Sequence, residues 1–402
     1  MTLNLITGFC VIIGVLVVAQ HFSRLTRLPV PSAQFLLGAL AVHGIVAFGV
    51  DTGLRYDNFH DLTFYLFLPI LIFAATQELD TQAFTKRLPT IGALAFVGIL
   101  ITTSLVAVVM YYGIGHPTGF PWAAALLTGI LLAATDPAAV TGQRGLAHTE
   151  KQHETAVMLE GESLLNDAAS VVIFMIILAF ALEGSVMAST FADAGITFGR
   201  EVLGGALFGI AFGYGGKLYF RLSQASSASI WASLVLAFAS YHCALALHTS
   251  GVIACLVTGF MLKSAEHRPQ IMAPFWEFLG STANGIIFVL MGATITISMF
   301  TERWLAILIA IAAVLVARLA AVVLTLRLTP GYAFNLREST LIGAMGMRGA
   351  LTLALALILP TELPYWWTIQ SVAYGVVLFD LFLLAPVAPR LFDKFLPESQ
   401  QT

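Results

Sequence analysis

Charge is scarce in this sequence. Nineteen Lys plus Arg and 22 Asp plus Glu make up 10% of its 402 residues, against about 25% in soluble domains. Hydrophobic residues reach 58%, more than a water-exposed fold can cover. A soluble enzyme and a disordered chain are therefore excluded. A net charge of −3 leaves no basic surface for nucleic acid. Cysteine is nearly absent. Cys10, Cys243 and Cys255 all lie in apolar stretches, which speaks against a disulfide framework or a Cys/His metal centre. The first apolar run has no basic segment before it and no small-residue cleavage site after it, so it reads as a membrane span rather than a signal peptide.

What is present is a series of apolar segments, each about the 20 residues that a helix needs to cross a bilayer. The expected fold is an all-α polytopic membrane protein. Charged, Pro-rich and Gly-rich breaks divide the chain into about thirteen segments: 4–21, 31–50, 59–77, 88–113, 121–143, 154–182, 196–218, 229–247, 249–263, 271–298, 303–326, 337–359 and 364–392. The break at His248–Ser250 is the weakest, and merging its neighbours would leave twelve. Basic residues test the count. Fourteen of the 19 fall in or at the edges of odd-numbered connections and at the C-terminus. Arg55, Arg200 and Arg303 fall in or at the edges of even-numbered ones, and Arg318 and Arg348 well within segments. That asymmetry predicts thirteen spans in the plasma membrane, N-terminus outside and C-terminus cytoplasmic. Trp122, Trp231, Trp304, Trp366 and Trp367 sit near segment ends, as interfacial anchors do. Residues 1–398 form one transmembrane unit, and 399–402 are expected to be a short cytoplasmic tail.

The informative charges lie inside the segments, where each costs at least about 2.5–3.5 kcal/mol. In the sixth, Glu162 pairs with Asn166 and Ser163 with Asp167 at i,i+4 spacing, which puts acids, an amide and a hydroxyl on one helix face. Such a stripe can replace the water around a small cation. Packing against another helix is the plainer alternative, and several acids weigh against it. In the fifth, Asp136-Pro137 is a helix-start signature in mid-membrane. It predicts two half-helices joined at Thr135–Asp136, with carbonyls and a carboxylate free for a cation, although a simple proline kink is an alternative. In the twelfth, Gly343, Gly346 and Gly349 surround Arg348 and predict a second interruption. One interruption in each half of the chain points to an inverted repeat with the substrate between them. Arg348 would balance an acid of the sixth segment or reach towards water. Arg318, close to a cytoplasmic end, is expected to snorkel. Asp380 has no evident partner in the sequence, and Arg318 is a candidate.

These residues carry a resemblance. Thr135-Asp136-Pro137, then Glu160-Gly161-Glu162-Ser163-Leu164-Leu165-Asn166-Asp167, with Gly346-Met347-Arg348-Gly349-Ala350, resemble the signature of the monovalent cation/proton antiporter-1 family over nearly the whole chain. A relative of this fold is among the inverted-repeat transporters. The resemblance implies two crossing interrupted helices and a mobile core around spans 59–182 and 271–359. The remaining spans would form a dimerisation scaffold, giving a homodimer. It further implies Na⁺ (or Li⁺) exchanged for H⁺, with no cofactor and no partner beyond the ions and the lipid bilayer. K⁺/H⁺ exchange on the same fold is the alternative. By the same resemblance Asp167 and Asp136 bind ion and proton, while Ser163, Thr135 and Asn166 complete the ligand set. Asn166, where electrogenic relatives have Asp, implies electroneutral exchange. Glu162 and Arg348 are implied as a structural ion pair. Ala74 departs from the pattern, since the family usually carries Glu at that position. An intramembrane hydrolase is a remote alternative. Its closest motif, His153-Glu154-Thr155-Ala156-Val157, lacks the second histidine, and Ser163 has no histidine on its helix.

Overall fold

The computed structural model describes residues 2–47, 61–114, 119–136, 149–183, 191–223, 226–330, 332 and 335–396. Those residues are helical or irregular, with no strand among them. This is expected where hydrocarbon offers backbone groups no hydrogen-bond partner, because a helix satisfies its own. The helices are α1 (Thr2–Thr26), α2 (Val30–Ala47), α3 (Leu62–Glu78), α4 (Thr81–Gly113), α5 (Trp122–Ala133), α6 (Glu150–Glu183) and α7 (Phe191–Leu222). They continue with α8 (Ser226–Ala246), α9 (Gly251–Lys263), α10 (Met272–Thr294) and α11 (Ile297–Leu328), then α12 (Leu336–Ala344), α13 (Ala350–Leu357), α14 (Trp366–Leu384) and α15 (Ala388–Phe395). Among the described residues, eight helices are long and apolar enough to cross a membrane, and four shorter ones are apolar.

The weak break at His248–Ser250 is a real chain reversal. His248 adopts a positive φ of 55°, and the Ser250 hydroxyl accepts the Ile253 N–H at 3.2 Å to start α9. The last expected segment, 364–392, runs too far. α14 stops at Leu384, and residues 388–395 form the separate α15. There Phe392 is buried while Asp393 and Lys394 are exposed.

Two bundles share the chain. In one, α10 packs on α2 and α3, and α9 packs on α3, α7 and α8. In the other, α4 packs on α5, α6 and α11, while α14 packs on α5, α11 and α13. α3 and α10 therefore sit with α1, α2 and α7–α9, not with the helices to which the 59–182 and 271–359 division assigned them. In each half of the chain, scaffold helices precede a triple whose middle member is broken: α4–α5–α6, and α11–α12/α13–α14.

Several of the basic residues make contacts between connections. Arg87 meets Glu154 at 2.6 Å and Lys151 meets Glu338 at 3.2 Å. Gln152 donates to the Leu396 carbonyl at 2.7 Å. These groups lie in or beside the third, fifth, eleventh and C-terminal connections. On the opposite face Arg303 donates to the Thr368 hydroxyl at 3.0 Å and stacks on Trp367. Trp122, Trp231 and Trp304 are exposed, as anchors should be, whereas Trp276 is fully buried with its indole N–H on the Ser233 hydroxyl at 3.0 Å.

Candidate functional site

The two interruptions meet. α5 ends at Ala133, and residues 134–136 continue without helical structure. The half-helix expected from Pro137 lies outside the described residues. α12 ends at Ala344, and α13 resumes at Ala350. Between them the Asp136 N–H donates to the Met347 carbonyl at 2.6 Å, so the two breaks cross backbone to backbone.

A broken helix leaves its last carbonyls without intrahelical donors. Here side chains of neighbouring helices supply them. The Thr352 hydroxyl donates to Leu131 at 3.1 Å, and the Arg348 Nε donates to Leu132 at 2.7 Å. The Asn166 amide donates to Ala133 at 3.1 Å, and the Ser163 hydroxyl donates to Thr135 at 2.6 Å. The i,i+4 stripe of α6 is thus partly a clamp on the break. Asn166 also accepts the Ser170 hydroxyl at 3.0 Å. It is fully buried and holds the chain rather than lining open space.

Glycines set the two closest approaches. A Cβ on Gly349 would fall on the Asp136 carboxylate, and one on Gly346 would fall on the Arg318 guanidinium. Neither glycine has a positive φ, so proximity alone demands them.

The ion pair differs from the expectation. Glu162 is paired with Arg318, not Arg348. Both guanidinium nitrogens reach it, at 2.5 and 2.6 Å, and the two side chains are only 1% and 2% exposed. Arg318 therefore does not snorkel. It runs past Gly346 into the bundle interior. Arg348 turns the other way, donating to the Leu132 and Gly346 carbonyls. Asp380 is not the partner of Arg318 either. Its Oδ2 accepts the backbone N–H of Arg348 at 2.7 Å.

A cavity of about 330 Å³ opens between the two bundles. Asp136, Glu160, Ser163 and Asp167 line one side, and Ala74, Glu277 and Asn284 the other. Asp167 lies about 25 Å along α6 from Glu150, at about 1.5 Å per residue, near the middle of that 34-residue helix. Its Oδ1 is buried and has no hydrogen-bond partner among the described residues. Asp136 and Glu162 are near enough to act on it electrostatically. Asp136, Ser163 and Asp167 thus meet at one cavity. Thr135 and Asn166 stand behind it. Chemically this is a set of oxygen ligands suited to a small cation or a proton. The Ser163 hydroxyl is committed to a carbonyl and is not poised as a nucleophile.

Comparison with known proteins decides the family. The model of the transmembrane sodium/hydrogen exchanger matches residues 11–393. The chain belongs to the sodium/hydrogen exchanger family. It is 30% identical to the Na⁺/H⁺ antiporter NhaP of Pseudomonas aeruginosa, over 97% of each chain. It is 33% identical to the Na⁺/H⁺ antiporter NhaH of Halobacillus dabanensis, over 82% of each. In fold it is similar to the sodium proton antiporter MjNhaP1 of Methanocaldococcus jannaschii, with a TM-score of 0.78 and 21% identity over 98% of this chain and all of that one. The protein is a multi-pass membrane transporter, not an enzyme.

Ala74, where the resemblance implies Glu, lies on the cavity wall. It is 3% exposed and packs against Gly280, where a Cβ would lie 2.6 Å from its own. Glu277, one helical turn from Gly280 on α10, lines the same cavity. The sequence reading missed Glu277 and Asn284. The signal was there as two polar residues in the apolar stretch of α10, on the face shared with Gly280.

Proposed function

We propose that this chain exchanges Na⁺ for H⁺ by letting the two compete for Asp167, with Asp136 as the second acid and Ser163 and the Thr135 carbonyl as supporting oxygens. The observation that carries the reading is the Asp167 carboxylate, which faces the cavity while one of its oxygens is buried without a donor among the described residues. A bare carboxylate in such a place is costly, and a bound proton or cation removes that cost. Each loaded form can therefore move past apolar surface, whereas the empty charged form cannot. Exchange becomes obligatory. With Asn166 in place of a further acid, one proton crosses per cation and transport is electroneutral.

The moving body is the bundle of α4–α6 and α11–α14, sliding against α1–α3 and α7–α10. The sparse packing between the bundles supports this division. Thirteen spans place the N-terminus outside and the C-terminus in the cytoplasm of the plasma membrane, and the scaffold pairs two copies into a homodimer.

The test is cation-induced collapse of a pH gradient in everted vesicles. Addition of Na⁺ dissipates the gradient for the wild type and not for Asp167→Asn, which reaches the membrane in normal amount. Sodium-driven proton flux through Asp167→Asn would refute the shared site. A stronger response to K⁺ than to Na⁺ would reassign the cation.

A further inference from the structure

One buried acid has no part in the competition just described. Asp380 is 1% exposed and opens a π-helical turn, Asp380–Leu384, in α14. Turns of this kind recur at functional positions. Its Oδ2 accepts the Arg348 N–H at 2.7 Å. Its Oδ1 is equally buried and meets no donor among the described residues, so among them this single backbone group is the acid's hydrogen-bond partner.

The N–H of Arg348 and the carbonyl of Met347 belong to one peptide unit. That carbonyl accepts the Asp136 N–H at 2.6 Å. One rigid, planar group therefore connects the Asp380 carboxylate to the backbone of Asp136. An anion accepting from the N–H polarises the peptide and strengthens the acceptor at its other end. The same stretch ends at Gly349, against which the Asp136 carboxylate lies. Displacing the Met347–Arg348 peptide would move both the backbone and the side-chain contacts of Asp136.

We propose that Asp380 is a positioning residue for the cation site, setting the Asp136 carboxylate through the Met347–Arg348 peptide. Asp380 touches no ion. It narrows the range of positions open to a carboxylate that does, so its removal weakens cation binding more than turnover. This inference rests on the assignment of Asp136 to the cation site.

The experiment compares wild type, Asp380→Asn and Asp380→Leu, each purified and reconstituted at equal folded amount. Two readings are taken: the Na⁺ dependence of exchange, and the rise in Tm that Na⁺ produces over choline. Asn keeps an acceptor oxygen without the charge, and neutral acceptors are roughly half as strong as charged ones. Leu keeps neither. The expected order is a KM for Na⁺ raised about threefold in Asp380→Asn and about tenfold in Asp380→Leu, the scale of one lost hydrogen bond to a charged group. Vmax changes by no more than about twofold, and the Na⁺-induced Tm rise shrinks in the same order.

A merely structural acid lowers Tm equally with and without Na⁺ and leaves KM alone, and that result would overturn the proposal. So would equal KM rises in both variants, which would mean that the charge matters and the acceptor does not. If Asp380→Leu does not fold, Asp380→Asn decides: wild-type KM and wild-type Na⁺ stabilisation in that variant reject the role. Failure of the wild type itself to exchange any alkali cation is a separate outcome and refutes the function, not the relay.

Discussion

Replacing Arg318 by Met removes one half of the pair between α11 and α6 and strands Glu162. Both of its carboxylate oxygens are held by that guanidinium, at 2.5 and 2.6 Å, and only 1% of the side chain is open to solvent. Breaking a buried pair by deleting one partner costs about 3–5 kcal/mol, because the remaining charge has no compensation. Replacing the whole pair by apolar residues of similar size is often neutral. Arg318→Met alone should therefore lose about 3–5 kcal/mol of unfolding free energy, and Arg318→Met with Glu162→Leu should recover most of it. Arg348→Met also destabilises, through its lost bonds to Leu132 and Gly346 at about 1.5–3 kcal/mol each. Adding Glu162→Leu to Arg348→Met should not rescue it, since the second change strands Arg318. The assay is SDS-titrated unfolding of the purified exchanger, followed by tryptophan fluorescence. Rescue of Arg348→Met, with none for Arg318→Met, would refute the pairing and restore the partner expected from the sequence.

Other outcomes follow from the same geometry. Gly349→Ala puts a methyl group on the Asp136 carboxylate while its φ of −136° suits any residue. KM for Na⁺ should rise more than about tenfold with only a modest fall in Tm, and unchanged KM would contradict the contact. Asp80, at the exposed start of α4, accepts the Ala83 and Gln82 N–H groups and lies 3.4 Å from His153. These partners, led by the Ala83 N–H, hold its carboxyl below the ordinary value against a weaker opposing effect of burial. Its stabilisation is therefore full above the unfolded value of about 3.9 and is lost as pH falls through the lower folded value. Asp80→Asn, which still caps the helix, should flatten the acid side of the Tm–pH curve below about pH 5. A curve that still parallels the wild type would remove Asp80 from that dependence.

Several features could be read along the chain because their causes are local. The helix break before Pro137 follows from a missing N–H and a fixed φ. The acids of α6 share a face because four residues make about one turn. Arg318 misled for the opposite reason. Its distance from the segment end suggests an escape to water, but Gly346 on another segment lets it pass inward instead. The amide of Asn166 shares the acids' stripe, and only the path of residues 133–135 reveals that it holds a carbonyl there.

The membrane class, the two interruptions and the acids at the cavity were decided by the sequence alone, since hydrocarbon penalises charge and unsatisfied backbone wherever they occur. Tertiary structure decided which arginine meets Glu162, which bundle owns α3 and α10, and which backbone group engages Asp380. Those outcomes depend on how helices far apart in the chain rotate and pack against one another. Spacing along one helix records which residues share a face, but not which helix that face will meet.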